Sequence, residues 1–234
     1  MTAEQLWNGV TLECGGGFPL GTDSVLLADF VRIPGGSAVC DLGCGSGAIA
    51  LMLLADDRSL SLTGVEIQPS LAALAQRNAD ENGLADRFRV LTGDLRRIRG
   101  LLPASGFDAV VSNPPYYAAH FPPPDRPDAV IARTERCCKP EDLCTAAAWL
   151  LRSGGKLFLC HLPERLADVI VCLRSARLEP RRLQFVRHRP GCRRNLFLME
   201  AALDGGSGLD VLDDLVLFGP DGAPTEAYRQ AYHR

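Results

Sequence analysis

No apolar run in the 234-residue chain approaches the roughly 18 residues that a membrane-spanning helix needs, which argues against a helical membrane protein. The opening Met1-Thr2-Ala3-Glu4-Gln5 lacks a basic region followed by an apolar core, so no secretory signal is expected and the cytoplasm is the expected compartment. Positive charge is not in excess either. The formal net charge is −3, so the whole molecule is no polycation, and any nucleic-acid contact must come from a local basic patch. The chain carries nine cysteines but no paired C-x-x-C spacing around Cys137-Cys138 or Cys144, so no metal site is expected. An odd, scattered set of thiols fits reduced, buried cysteines in a cytosolic protein. Nor is there a Ser-His-Asp or paired-carboxylate arrangement. His120, His161, His188 and His233 are dispersed and read as structural or solvent-facing.

What is present is an alternation of strand and helix patterns, with no internal repeat. Thr22-Asp23 can cap a helix through Phe30. Strands are expected at 37–42, 61–66, 88–92, 107–112 and 156–160. Helices are expected over 48–54, from Gln68-Pro69-Ser70 to Asn82-Gly83, and over 143–151. Such alternation implies an α/β fold with right-handed crossovers and a mostly parallel sheet covered by helices on both faces. Beyond residue 175, Arg182–Val186 and Asn195–Glu200 read as an antiparallel C-terminal hairpin closing one edge. Residues 120–127 form a stiff proline-rich loop, and Asp204-Gly-Gly-Ser-Gly208 is the expected flexible connection. One domain over residues 1–234 is expected. Within it, 1–36 cover the site, 37–203 form the core and 204–234 form a tail.

Asp41-x-Gly-x-Gly-x-Gly stands where the first strand meets its helix. Glycine there permits a tight turn and lets a ligand lie against the backbone, and the helix N-terminus beyond offers free N–H groups. A dinucleotide site places its third glycine one residue later. The spacing through Gly43, Gly45 and Gly47 suits a carboxylate-bearing cofactor better than a pyrophosphate. Glu66 closes the second strand, where an acid can accept from both ribose hydroxyls, and Asp94 closes the third, where it can accept from an adenine amine. Three such signals at successive strand ends converge on one crevice.

Asn113-Pro114-Pro115-Tyr116 ends the fourth strand. An exocyclic ring amine is a weak nucleophile because its lone pair is delocalised. Two acceptors on its two N–H groups favour a more pyramidal nitrogen. The Asn113 side-chain carbonyl is one acceptor, and the Pro114 backbone carbonyl is the other, with no N–H to compete. The two prolines fix φ and hold that carbonyl in place. Tyr116 offers an aromatic face, with base stacking worth roughly 1–3 kcal/mol. A sulfonium methyl donor is already activated, so alignment and charge compensation suffice.

At these residues the chain resembles the class I S-adenosylmethionine-dependent amino methyltransferases, and within them the bacterial tRNA1(Val) (adenine(37)-N6)-methyltransferase family. The resemblance runs from about residue 10 to the end. It is carried further by Gly21-Thr22-Asp23-Ser24-Val25-Leu26-Leu27, Asn113-Pro114-Pro115-Tyr116-Tyr117, Ala132-Arg133-Thr134-Glu135 and Leu215–Gly222. It implies a Rossmann-like fold with a mostly parallel seven-stranded sheet, S-adenosylmethionine as cofactor and tRNA as partner, with no metal and no membrane. A monomer is compatible with it. It implies cofactor contacts from Thr22, Asp41, Gly43, Gly45, Gly47, Glu66 and Asp94. Catalytic roles fall to Asn113, Pro114 and Tyr116, and substrate contacts to Pro115, Tyr117 and Arg133. Arg133-Thr134-Glu135 departs from the commoner Arg-His-Glu form.

The release-factor glutamine N5-methyltransferases share the Asn-Pro-Pro-Tyr motif, because a glutamine amide is also planar and weakly nucleophilic. They usually carry a sizeable helical domain ahead of the glycine loop, whereas only 40 residues precede Asp41 here. A non-catalytic RNA-binding module and a dehydrogenase are the remaining alternatives. The intact glycines, Glu66 and Asn113 speak against the first, and the glycine spacing against the second. Arg181, Arg182, Arg187, Arg189, Arg193 and Arg194, with His188, fall in one acid-free window that can neutralise phosphates or simply be a solvated basic loop.

Overall fold

The computed structural model describes residues 2–14, 20–114 and 138–233. In chain order its regular elements begin with β1 (Thr2–Gln5), β2 (Thr11–Cys14), α1 (Thr22–Phe30), β3 (Ala38–Leu42), α2 (Ala48–Asp56), β4 (Ser61–Glu66), α3 (Pro69–Glu81) and β5 (Phe88–Thr92). A 3₁₀ segment (Leu95–Gly100) and β6 (Phe107–Ser112) follow. After these come α4 (Pro140–Leu150), β7 (Leu151–His161), α5 (Leu166–Ser175), β8 (Leu178–Arg187) and β9 (Arg194–Leu203). A 3₁₀ turn (Pro163–Arg165) before α5, two short strands, β10 (Asp210–Val211) and β11 (Leu215–Val216), and the terminal α6 (Glu226–Ala231) complete the set among the described residues.

Alternate side chains of the central strands enter two separate cores, which is why these strands read as nearly continuous apolar runs. Val39 of β3, Ala109 and Val111 of β6, and Phe158 and Cys160 of β7 pack on one face with α1 and α2. Cys40 and Leu42, Phe107 and Val110, and Leu157 and Leu159 pack on the other with α4 and α5. Helix α2 is apolar all round and is buried from Ile49 to Ala55, as such a helix must be.

The main sheet runs β5-β4-β3-β6-β7-β9-β8. β3 through β7 are parallel, and β9 is antiparallel to both β7 and β8. The chain order reverses between β3 and β6, so a crevice opens outside their carboxyl ends, where open α/β sheets take ligands. The expected seven strands are these. Among the described residues the sheet has nine, because β10 and β11 run parallel along the outer edge of β8, and two-residue strands leave no periodicity to read.

Three further features depart from the sequence reading. β7 starts at Leu151, directly after α4, and Gly154 (φ 77°) lies within it beside a register shift between Phe107 and Ala109. The hairpin strands are longer than expected, ten residues each. The 204–208 stretch is a bonded turn: Asp204 N–H donates to Arg177 O at 3.0 Å and Gly205 N–H to Ala202 O at 3.2 Å.

The N-terminal hairpin β1/β2 was not expected, and it roofs the crevice. It is held by side chains rather than by a third strand. Asn82 and Asn78, one turn apart on α3, bond Thr11 and Glu13 of β2. Four helical residues rise about 6 Å, close to the roughly 6.7 Å between strand residues i and i+2. The two amides therefore stand in for the missing strand.

Candidate functional site

The glycine loop joins β3 to α2 with all three glycines left-handed: Gly43 at φ 76°, Gly45 at 57° and Gly47 at 85°. Gly43 N–H donates to Val65 O at 2.8 Å, which presses the loop onto the end of β4. At Gly47 a Cβ would stand 2.8 Å from Phe88 Cε1 and 3.3 Å from Ala75 Cβ, so only glycine fits. At Gly43 and Gly45 a Cβ would meet nothing within 4 Å, because both face an open cleft of about 260 Å³.

Gly43, Gly45, Glu66, Asp94, Asn113 and Pro114 line this one cleft, together with Leu12 and Cys14 of the roof and Gly21 and Ser24 at the start of α1. Glu66 is buried at the end of β4. Its Oε2 accepts from Gly45 N–H and its Oε1 from Gln68 N–H, both at 2.9 Å. Burial raises the Glu66 pKa, while the backbone N–H groups draw it back down. A carboxylate has about four lone-pair sites, more than these backbone groups fill, so Glu66 keeps acceptor capacity for a ligand.

Asp94 caps the 3₁₀ segment and accepts from Arg96 through both oxygens, with Arg96 Nη2 at 2.6 Å from Oδ2. Those hydrogen bonds hold the Asp94 carboxyl below its ordinary range despite partial burial. Asn113 donates from Nδ2 to Ser24 Oγ at 3.0 Å and accepts at Oδ1 from Cys160 Sγ at 3.2 Å. Ser112 Oγ–H donates to Leu42 O at 2.7 Å, tying the end of β6 to the start of the glycine loop.

Three expected cofactor residues stand outside the lining. Asp41 is buried beneath the loop, and neither of its carboxylate oxygens has a hydrogen-bond partner among the described residues. Desolvation, and then the neighbouring Glu66 charge, push its pKa up to about 7. Gly47 serves as the N-cap of α2. Thr22 turns away to accept from Tyr232 Oη–H at 3.2 Å, and Ser24, two residues on, faces the cleft instead. Pro115, Tyr116, Tyr117, Arg133 and Cys137, with the 120–127 loop, lie outside the described residues. Sequence reasoning missed Ser24, Cys160 and the hairpin form of the N-terminal segment. Of these, Ser24 alone carried a signal, since it lies in the Gly21–Leu27 run.

The basic window is less free than it reads. Arg187 and Arg194 both pair with Asp214, from the segment between β10 and β11. Arg182 pairs with buried Glu200 at 2.8 Å and lies over the Phe30 ring. Arg189 and Arg193 remain exposed on the β8–β9 turn, which lies at the same sheet edge as the cleft because β8 is parallel to β7 through β9. His161 is buried beside Pro114. Desolvation lowers its pKa to about 4, so it is neutral, and its Nδ1 accepts from Leu162 N–H at 2.8 Å. Among the described residues no group of acids, cysteines and histidines could hold a metal ion, and no helix is long and apolar enough to cross a membrane.

Residues 39–141 match the family model described as a methyltransferase domain. A tRNA1(Val) (adenine(37)-N6)-methyltransferase from Porphyromonas gingivalis is 34% identical over 184 residues, spanning 76% of this chain and 72% of that protein. An Escherichia coli protein of the same name is 33% identical over 152 residues, 64% of this chain and 60% of that one. Among solved structures, a predicted O-methyltransferase from Agrobacterium tumefaciens superposes with a TM-score of 0.76 at 24% identity, covering 91% of this chain and 96% of that one. A geranyl diphosphate C-methyltransferase from Streptomyces coelicolor, solved with S-adenosyl-L-homocysteine, superposes at 0.58 and 14% identity, over 77% of this chain and 76% of that one. These two likenesses speak to the Rossmann-like methyltransferase fold. With a relative matched over more than two thirds of its length and the glycine loop, Glu66 and Asn113-Pro114 gathered on one cleft, the chain belongs to the tRNA1(Val) (adenine(37)-N6)-methyltransferase family.

Proposed function

We propose that this chain methylates the exocyclic N6 amine of adenine in tRNA, at adenosine 37 of a valine tRNA, using S-adenosylmethionine. One observation carries the reading: Asn113 and Pro114 line the same cleft as Gly43, Gly45 and Glu66. The acceptors for a planar amine and the cradle for a nucleoside cofactor are thus side by side. The names of the relatives support the target.

The residues present suit the cofactor. Gly43 and Gly45 leave open the space that a Cβ would fill, Glu66 lines that space as the acceptor for ribose hydroxyls, and Asp94 lines it at the far strand end, where an adenine amine would share its oxygens with Arg96. Asp41 and Gly47 act from below, by shaping the loop. When bound, S-adenosylmethionine supplies a methyl group already activated by its sulfonium, so no strong base is required. Asn113 Oδ1 and the Pro114 carbonyl accept from the two N–H groups of the target amine and turn its lone pair toward the cofactor side of the cleft. Their partial negative charge compensates the positive charge that develops on nitrogen. Neutral His161 adds no positive charge beside Pro114. Tyr116 and Tyr117 are assigned to stacking on the extruded base, Pro115 to rigidity and Arg133 to the RNA. Extruding a base costs a few kcal/mol, which phosphate contacts and stacking offset. The enzyme is proposed to act as a single-domain monomer in the cytoplasm.

A glutamine side-chain amide presents the same two N–H groups, so release factor is the alternative substrate. The test is incubation with labelled S-adenosylmethionine and either valine tRNA lacking the modification or release factor. Label recovered as N6-methyladenosine at position 37 is expected. Label in protein alone overturns the tRNA reading.

A further inference from the structure

The tail run Leu215–Gly222, one of the runs that carry the family resemblance, lines no part of the cleft. It braces the β8–β9 turn instead. Leu217 N–H donates to Arg187 O at 2.9 Å and Phe218 N–H to His188 O at 3.0 Å, so the run continues beside the chain past the end of β8. The Phe218 ring stands 4.9 Å from the His188 ring, and 5.1 Å from Tyr228 of α6. Both separations suit aromatic pairs. The run then closes a turn of its own, with Gly219 N–H donating to Ala223 O at 2.8 Å and Gly222 N–H to Gly219 O at 3.0 Å. A Cβ on Gly222, at φ 81°, would stand 3.4 Å from Arg189 Nη2, so the Arg189 guanidinium lies close against this second turn.

The braced turn presents a ring between two cations. Residues 188–193 are all exposed, and none is acidic. Of the nearby acids, Asp214 is engaged by Arg187 and Arg194, and Asp221 accepts from Ala223 N–H at 3.0 Å. Glu164 stands 4.0 Å from Arg193, with both groups largely solvated. The turn lies at the cleft edge of the sheet. β8 is the third strand from β6, across β7 and β9, which places the turn on the order of 14 Å from the Asn113 end at about 4.8 Å per strand. A few nucleotides of single strand span that distance. Aromatic faces take unpaired bases of any sequence, and flanking cations take the phosphates, which is how single-stranded nucleic acid is commonly held. A paired stem offers the phosphates but no base face.

We propose that the β8–β9 turn, braced by the Leu215–Gly222 run, is a docking site for single-stranded RNA. His188 stacks on an unpaired nucleotide of the loop that carries the target adenine, and Arg189 and Arg193 hold its phosphates. The site rests on the tRNA reading above and adds a contact outside the methyl-transfer cleft that selects loop over stem.

The experiment uses the full chain and three RNAs: unmodified valine tRNA transcript, its isolated anticodon stem-loop, which carries position 37 unpaired, and the stem-loop strand annealed to its complement. His188→Ala is expected to weaken stem-loop binding about five-fold or more, the effect of losing one stacked base, and to raise KM for the transcript in parallel. Binding of the annealed duplex should not change. His188→Phe keeps a ring and should recover most of the loss. Melting temperature and S-adenosylhomocysteine affinity should stay at the wild-type level in both variants, because His188 lines no part of the cleft and its backbone carbonyl still accepts from Phe218. Cys192 gives a readout that needs no mutation. It is the exposed cysteine among the described residues, and saturating stem-loop should slow its alkylation by N-ethylmaleimide, followed peptide by peptide. The proposal is overturned if His188→Ala binds the stem-loop as wild type does, if His188→Phe is as impaired as His188→Ala, or if Cys192 reacts equally fast with and without the stem-loop. Failure of the tRNA reading looks different: wild-type enzyme leaves adenosine 37 unlabelled and binds the stem-loop no better than the duplex, and the docking site then falls with it.

Discussion

Asn78 of α3 holds Glu13 of β2 at both backbone polar groups, accepting from its N–H at 2.9 Å and donating to its carbonyl at 3.1 Å. The same amide donates to Ser46 O in the glycine loop at 2.9 Å. One side chain, 1% exposed, thus joins the roof, the cofactor loop and a helix of the cleft wall. Asn78→Ala takes this partner from two carbonyls and an N–H of half-buried residues, at up to about 1–3 kcal/mol for each group that water does not reach. The variant should melt several degrees lower and bind S-adenosylhomocysteine more weakly. Asn78→Asp keeps the acceptor but loses both donations, so it should be at least as damaging. Thermal melts and calorimetric titration check both.

Glycine at 45 and glycine at 47 should fail in different ways when replaced by alanine. Both adopt positive φ, which costs an L-residue roughly 1–2 kcal/mol. At position 47 the new Cβ also strikes the Phe88 ring 2.8 Å away, within the packed core. Gly47→Ala is therefore expected to lose stability well beyond the backbone cost, as overpacked cores commonly lose a further 1–3 kcal/mol. Gly45→Ala meets no protein atom and should stay folded, but its methyl group enters the cleft. Its S-adenosylhomocysteine affinity should fall by about tenfold or more, the equivalent of 1.4 kcal/mol. Urea unfolding separates the two effects from ligand titration.

Much of this was legible in the sequence, for a definite reason. Parallel strands buried on both faces leave continuous apolar runs, and the residues closing them, Glu66, Asp94 and Asn113, lie at the carboxyl edge by topology alone. The hairpin form of the N-terminal segment was not legible, because β1 reads Thr-Ala-Glu-Gln and β2 has only alternate buried residues, too few for a pattern. Its anchors are two asparagines about 70 positions away. Nor could the Cys160–Asn113 contact be read, since it depends on the β6–β7 register. The neutralised arginines were hidden because Asp214 is brought back along β8 by two-residue strands.

Asp41 makes the fold sensitive to pH. Its folded pKa of about 7 lies above the ordinary value of 3.8 because the carboxyl is buried, with Glu66 nearby. Between those values the folded chain keeps a proton that the unfolded chain has released, so stability falls as pH rises through this window. The penalty is absent below 3.8 and complete above about 7. A tenfold shift in acid strength is worth about 1.4 kcal/mol, which sets the total at a few kcal/mol. Asp41→Asn should therefore be more stable than wild type at pH 8 and should flatten the pH profile between pH 4 and 7. Glu66→Gln should move the Asp41 midpoint down. Urea melts across pH test both expectations.

The arginines of the β8–β9 hairpin should divide into two groups. Arg187 and Arg194 share Asp214, so reversing either charge leaves the hairpin with repulsion where it had an ion pair, and should lower stability. Arg189 and Arg193 are exposed at the turn, on the cleft edge of the sheet. The pairing of Arg193 with Glu164 spans 4.0 Å between groups that are both largely solvated, so it should contribute little to the fold. Arg189→Glu and Arg193→Glu should leave the melting temperature nearly unchanged while weakening tRNA binding. Each phosphate contact removed should reduce the slope of log affinity against log salt by about 0.9 for duplex and 0.7 for single-stranded contacts. Filter binding of valine tRNA over a potassium chloride series measures that slope. An unchanged slope in both variants would place the phosphate contacts on another surface, because the remaining hairpin arginines resolved here are engaged by Asp214, Glu200 and the Gly206 carbonyl.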